Sequence, residues 1–378
     1  MLDLLGQLGL HLELRIGKEV PVPAPYEVMD SLISLSVTNN DRQPDGFQMD
    51  FNIGKDTLLD YGLLKSGILD APNRVIITAL FGLLPQVLID GIIDDLQVES
   101  SNEPGKSKLR VMGKDISMKL SFEDQSAIHP QQRDSDIVRQ ILFKAGFIPE
   151  VTETKDIPVE IERISTQQCH NLKFIRKLAK RNGFVFYLEP TKVPGLNIAY
   201  WGPESRRGPP QPALTMNMGA QTNMDTPPNF QYDAMGPTAL EVTIMDPFTR
   251  QPIQIPIPAS VLPSLTSSPA KPLRRVLSRD AANLSFASAL QKAVAGASES
   301  SDAIRAIGEV DAVRYGCALR ARRLVNVRGA GQSYDGTYYV QQVTHNIKRL
   351  PRGEYKMRFT LTREGRGAQS MFVAATEC

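Results

Sequence analysis

Cysteine is scarce in this 378-residue chain: Cys169, Cys317 and Cys378 are its three, widely spaced. That is too few for a disulfide framework and has no zinc-ligand spacing, so unpaired thiols in a reducing compartment are expected. Histidine is nearly as sparse. His11, His129, His170 and His345 fall on separate segments, without the spacing of a metal site. Long apolar runs are missing too. Met1–Leu10 is apolar, but Asp3 interrupts it, no basic flank precedes it, and it is too short for a bilayer span or a secretory signal. A soluble, cytoplasmically made protein without membrane insertion is therefore expected.

What is present is the composition of a globular protein, with 42% hydrophobic and 22% charged residues and length for two to four domains. The net charge of +2 hides a division. Residues 1–124 carry 19 acidic against 11 basic side chains, and residues 301–378 carry 13 basic against 7 acidic. These are either two solvated surfaces or complementary ends that meet, within one subunit or between neighbours. A basic excess this local argues against a general nucleic-acid binder.

The first region reads as β-rich. Leu12, Leu14 and Ile16 alternate with Glu13 and Arg15, and a similar alternation runs from Leu32 to Val37. Pro44-Asp45-Gly46 then makes a turn before Phe47–Phe51. Further strands are expected at Arg74–Phe81, Gln86–Glu99 and Lys108–Lys119, with Pro104-Gly105 turning between the last two. The period then changes. Ile137, Ile141 and Ala145 share a helical face over Ser135–Gly146, capped by Asp134 or Ser135. A strand is expected at Val159–Ile164, then a helix over Leu172–Arg181 with Asn171 as N-cap and Asn182-Gly183 as its stop, then a strand over Phe184–Leu188.

Residues 202–275 are rich in proline, with strands expected at Ala213–Met218 and Leu240–Met245. Pro256 to Arg275 has too much Pro and Ser for a central strand and reads as an extended arm or loop. A weak helical stretch at Arg279–Ala295 and a Ser-rich link at Ala297–Ser301 follow. The end of the chain is β again: Leu319–Val327, a Gly329-Ala330-Gly331 turn, and a hairpin of Thr337–Val343 with Tyr355–Leu361.

Candidate chemistry does not assemble. Gly329-Ala330-Gly331 lacks the third glycine of a dinucleotide loop, since Tyr334 stands there, and a strand rather than a helix follows. Cys169-His170 are adjacent, with no orienting partner at recognisable spacing. Asp94 and Asp95 neighbour each other on a strand and face opposite sides. Gln167, Gln168 and Asn171 are accounted for by capping and turns. No catalytic, cofactor-binding or metal-ligating residue is expected, and no cofactor.

Two segments carry a resemblance. Ser135–Gly146 with Ile164–Tyr187 is similar to the central part of the phage late control protein D family, through Gln167, Asn171, Phe174, Ile175, Lys177, Leu178, Ala179, Gly183, Phe184, Phe186 and Tyr187. Lys177 departs from the arginine usual there, with Arg176 beside it. The second match is Val327-Arg328-Gly329, Asp335–Val340, Val343-Thr344-His345, Gly353-Glu354-Tyr355 and Leu361-Thr362-Arg363, which resembles that family's closing hairpin. The two cover about a third of the chain in the expected order.

The family comprises tail hubs of contractile phages and the hub part of type VI secretion spike proteins. The resemblance implies a mainly β, α+β fold: a β-barrel-like hub domain at 1–124, a small α+β domain at 125–201, and a second β-barrel-like hub domain at 202–378 with a Pro/Ser-rich insertion near 256–301. It implies a non-enzymatic homotrimer forming a pseudo-sixfold ring in the baseplate of a virion tail or injection particle. The implied partners are the central spike protein, the tail tube or tube-initiator protein, baseplate wedge proteins and the tape measure protein, with DNA only in transit. No spike-like segment follows the last hairpin, so the spike is expected to be a separate protein. The alternative, a tail-associated cell-wall-degrading enzyme, needs a paired-carboxylate cleft that the sequence does not display.

Overall fold

The computed structural model describes residues 10–53, 62–82, 84–103, 106–154, 165–224, 226–245, 251–257, 262–278, 296, 301–349 and 353–369. Its frame is one 13-stranded sheet. Alternation builds the strands: in Leu32–Asn40, Leu35 and Val37 are buried while Ser34, Ser36 and Thr38 are half-buried on the other face. This strand turns through Pro44-Asp45-Gly46 into Gly46–Asn52 as expected. Next come Lys108–Asp115, Leu84–Glu99, Arg74–Phe81 and Leu10–Gly17, each antiparallel to its neighbour. The Pro104-Gly105 turn lies outside the described residues.

The first and last β regions meet in the middle of this sheet. Leu32–Asn40 pairs with Gly336–Lys348, from Asn40 opposite Gln342 to Ser34 opposite Lys348. On the polar face, Ser36 bonds Asn346 at 3.1 Å, Thr38 bonds Thr344 at 3.1 Å and Asn40 bonds Gln342 at 3.0 Å. Cross-strand pairs of this kind contribute about 0.2–1 kcal/mol each and hold the register. On the other face Val37, Met49, Phe51 and Val111 share one core with Val343, Met357, Phe359 and Leu361. Beyond Gly336–Lys348 the sheet runs to Glu354–Arg363, Ile304–Asp311 and Thr226–Tyr232, while Leu324–Arg328 and Gln211–Thr215 branch from it. The fold is the expected mainly β, α+β type; no sheet closes on itself among the described residues.

A second core lies in the α+β part, where Ile137, Val138 and Leu142 pack with Phe174, Ile175, Leu178 and Trp201. The helices Asp134–Lys144 and Asn171–Asn182 match the expected periodicity, and Gly183 stops the second in the left-handed region at φ 66°. Their N-caps differ from expectation. Arg133 occupies the first cap without a side-chain bond, because the Asp134 carboxylate instead accepts from Arg181 Nε at 2.9 Å and Asn182 Nδ2 at 2.8 Å, tying the helices together. His170 rather than Asn171 caps the second, its Nδ1 accepting from the Lys173 amide at 3.2 Å, while Asn171 accepts from Gln167. The strand expected at Val159–Ile164 lies outside the described residues, and Ser165–His170 pairs with Asp124–His129.

Other expectations are corrected. The strand from Lys108 ends at Asp115, whose carboxylate accepts from the Ser117 amide and starts a 3-10 turn over Ile116–Ser121. Pro25 precedes an unanticipated helix over Tyr26–Ser31. Pro256 to Arg275, expected as an extended arm or loop, is loop over residues 262–273 apart from Ser268–Pro269, and its two ends join strands. Pro252–Ile257 and Arg274–Ser278 flank Thr238–Met245 in a three-stranded sheet, with the prolines in an edge strand that tolerates missing donors. The weak helical stretch expected at Arg279–Ala295 lies outside the described residues. Cys317 is disulfide-bonded, not an unpaired thiol; Cys169 is free. No helix among the described residues is long and apolar enough to cross a membrane.

The Gly329-Ala330-Gly331 turn has both glycines at positive φ, 85° and 92°. A Cβ at Gly329 would sit 1.8 Å from the Met216 carbonyl oxygen. The Gly329→Ala variant is therefore expected to lose about 2–4 kcal/mol, from left-handed strain plus overpacking. An unchanged midpoint in denaturant unfolding would contradict this.

Candidate functional site

The strand expected from Leu319 begins only at Leu324, because Cys317–Arg323 makes a turn that docks on the first β region. The Ala318 amide donates to Gln86 Oε1 at 2.9 Å and Arg320 Nη1 to the Val87 carbonyl at 2.6 Å. Arg322, at φ 66°, points its buried guanidinium between three parts of the chain. Nη2 donates to the Asn40 carbonyl at 2.6 Å and also to Asp45; Nη1 reaches the Leu188 carbonyl at 3.5 Å. The guanidinium stacks over the Tyr187 ring, 4.2 Å from its centroid. One side chain thus joins the first β region, the α+β part and the last β region.

Asp45 is fully used. It accepts from Asn39 Nδ2 at 2.9 Å and from the Asn40 amide at 2.9 Å, and its own amide donates to Asp115 Oδ2 at 3.1 Å. Burial, with the Asp45 charge beside it, pushes the Asp115 carboxyl above the usual range. The Arg176 guanidinium adds positive potential but is itself lowered by burial.

A second buried arginine gathers three carboxylates. Arg206 Nε donates to Glu204 at 2.7 Å, Nη2 to Asp302 at 2.7 Å and Nη1 to Glu364 at 3.1 Å. The other Glu364 oxygen accepts from Ser264 Oγ at 2.6 Å and from the Leu265 and Thr266 amides, which anchors the Pro/Ser-rich segment. Arg363 next to it holds the preceding turn. It donates to the Asp335 carbonyl at 3.0 Å and the Ser333 carbonyl at 2.7 Å, above the Tyr338 ring.

The residues singled out from sequence stay apart. His11 is exposed on an edge-side strand, His129 stacks on Phe174, His170 caps a helix, and His345 is buried in the closing hairpin. Burial lowers the His345 pKa to about 3, and its Nδ1 lies 2.8 Å from the Tyr355 hydroxyl. Asp94 pairs with Lys114 at 3.0 Å, and Asp95 is exposed. Gly329-Ala330-Gly331 is a strand-to-strand turn whose Ala330 amide donates to Asp335. Among the described residues no three His, Cys, Asp or Glu side chains cluster as metal ligands would. The charge split is partly spent within the chain, since Arg322 meets Asp45 and Arg349 lies 3.7 Å from Asp30. Sequence reasoning missed Arg322, Arg206 and Glu364 as the joints of the molecule. The one signal is the charge of Arg322 within the strand expected at Leu319–Val327, whereas Arg206 and Glu364 lie in loops beside strands and carry no such signal.

Compared with solved structures, the chain aligns over nearly its whole length with a tail protein from Neisseria meningitidis MC58. The TM-score is 0.62 at 13% identity, covering 94% of this chain and 97% of that one. The chain has the fold of this tail protein. The 43 kDa tail protein of prophage MuSo2 from Shewanella oneidensis gives a TM-score of 0.61 at 11% identity, covering 94% and 98% of the two chains. The E. coli c3393 protein, a type VI secretion component described as similar to bacteriophage T4 tail proteins, gives 0.56 at 13% identity, covering 96% and 80%. No protein-family model matches the sequence, and comparison with curated proteins finds no match.

Proposed function

We propose that this chain is a structural tail-hub subunit of a phage tail or a related injection particle. The observation that carries the reading is the tail-protein fold, shared over almost the full length of both chains. In this reading three subunits close a pseudo-sixfold ring in the baseplate. Residues 1–124 and 202–378 supply its two β domains, and 125–201 forms a small α+β domain beside them. The ring adapts a tail tube above it to a central spike below, with baseplate wedge proteins and the tape measure protein as further partners. The role is mechanical, so the chain carries no catalysis of its own. The c3393 likeness supports the wider class of tails and injection systems.

A mechanical part must hold its domains at fixed angles. The continuous sheet through Leu32–Asn40 and Gly336–Lys348, with buried Arg322 across the joint, meets that need. Between subunits, the remaining acidic excess of the first region faces the basic excess of the last. Light scattering of the purified chain is expected to give three times the monomer mass at low salt and a lower mass as salt is raised, since exposed pairs are screened. A mass that never exceeds one chain, at any salt and with the spike protein added, would contradict the hub reading. A salt-independent trimer would contradict only the charge-pairing part.

A further inference from the structure

Asp41 follows Leu32–Asn40 directly, and its amide donates to the Gln341 carbonyl at 3.2 Å, which fixes the turn against the closing hairpin. Its side chain points inward. Residue exposure is 1%, and neither carboxylate oxygen has a hydrogen-bond partner. The group forms part of the wall of a pocket of about 270 Å³, lined also by Arg42, Arg176, Lys180, Phe184 and Glu204. Those residues come from the β frame, from the helix Asn171–Asn182 with the strand after it, and from the segment leaving the α+β part. The pocket therefore lies where that part sits on the frame.

A buried carboxylate without donors is costly unless it is neutralised or paired. Among the described residues no charged neighbour comes within hydrogen-bonding distance of it, and its one ion pair is a long one. Arg42 Nε, on the same turn, stands 3.7 Å away, and Arg42 Nη2 is shared with Glu204 at 3.6 Å. Glu204 gives its other oxygen to Arg206. Arg322 is engaged with Asn40 and Asp45. Arg176 and Lys180 line the pocket from the helix, and Tyr339, on the closing hairpin, also has a hydroxyl without a partner. Both Asp41 oxygens are sealed from solvent, so no ligand larger than water reaches them in this arrangement; a proton does.

We propose that Asp41 is a proton-operated latch: neutral, it lets the α+β part seat on the β frame, and ionised, it loosens that seat. Burial, reinforced by the nearby Glu204 charge and opposed by Arg42 and Arg322, raises the Asp41 pKa from 3.8 to about 7. Burial also shifts Glu204 upward. The sign follows from proton counts. Between the unfolded and folded values the folded chain holds the extra proton, so stability is full below the lower value and is lost as pH rises through the higher. The latch concerns one chain and stands apart from the hub reading.

The test is denaturant unfolding of the full chain between pH 5 and pH 8, with hydrogen exchange followed at residues 176–186. The wild type is expected to show an unfolding constant about a hundredfold larger at pH 8 than at pH 5 from this group. Exchange at 176–186, corrected for its intrinsic pH dependence, should quicken through neutrality. Asp41→Asn, which keeps the shape but cannot ionise, should lack this component and stay protected at pH 8. Arg42→Gln, at a part-exposed position, should move the wild-type midpoint to higher pH because it removes the nearest cation. The same pH profile in wild type and Asp41→Asn would overturn the latch. So would a midpoint that Arg42→Gln leaves in place.

Discussion

Arg322→Met is expected to destabilise the chain by about 3–5 kcal/mol, because it strands a buried partner rather than removing a surface pair. The guanidinium now satisfies the Asn40 carbonyl, the Asp45 carboxylate and the Leu188 carbonyl, while lying flat on Tyr187. Methionine fills the volume but donates nothing, leaving Asp45 with its charge in an apolar setting. Lysine restores the charge but lacks the planar fork that reaches three acceptors and stacks, so Arg322→Lys should recover only part of the loss. The double variant Arg322→Met with Asp45→Asn should be milder than Arg322→Met alone, since the stranded charge is gone. Denaturant unfolding measures all three. A loss below about 1 kcal/mol for Arg322→Met, the level of an exposed pair, would show that the joint is not held this way.

Arg206→Met has a comparable expected cost and a distinctive pH dependence. Its removal leaves Glu204, Asp302 and Glu364 around a buried site, with Arg42, 3.6 Å from Glu204, as the remaining ion-pair partner among the described residues. Each folded-state carboxyl is then raised above its unfolded value, so stability falls as pH climbs from the carboxylate range toward neutrality. The deficit relative to wild type should be about 3–5 kcal/mol near neutral pH and clearly smaller near pH 4. Glu364 also holds Ser264, Leu265 and Thr266, so this segment should become sensitive to limited proteolysis in the variant. A deficit equal at both pH values, with the segment still protected, would contradict the network.

Local patterns carried much of this fold. Alternation marked the strand from Leu32 and the closing hairpin, and the helix before Gly183 was marked by its apolar face and its stop. Pairing between Leu32–Asn40 and Gly336–Lys348 was not legible, because an alternating strand fits any partner of matching period. The joints were hidden for a related reason. Arg322 and Arg323 read as charged positions on a strand, whereas a left-handed turn sends Arg322 inward and leaves Arg323 on Glu189 outside. Pro256 to Arg275 has the composition of a loose arm, yet Glu364, about a hundred residues later, supplies the carboxylate that pins it. Asp41-Arg42 looks like an ordinary polar turn, and only the packing of Glu204 and the helix ending at Asn182 seals it.

The central claim is that three of these chains make a ring. Electron microscopy of the purified protein, with class averages computed without imposed symmetry, tests it most directly. The expected image is a closed ring with threefold symmetry and six lobes, two per chain, around an open channel. Averages showing single compact particles, unchanged when the spike protein is added, would contradict the account.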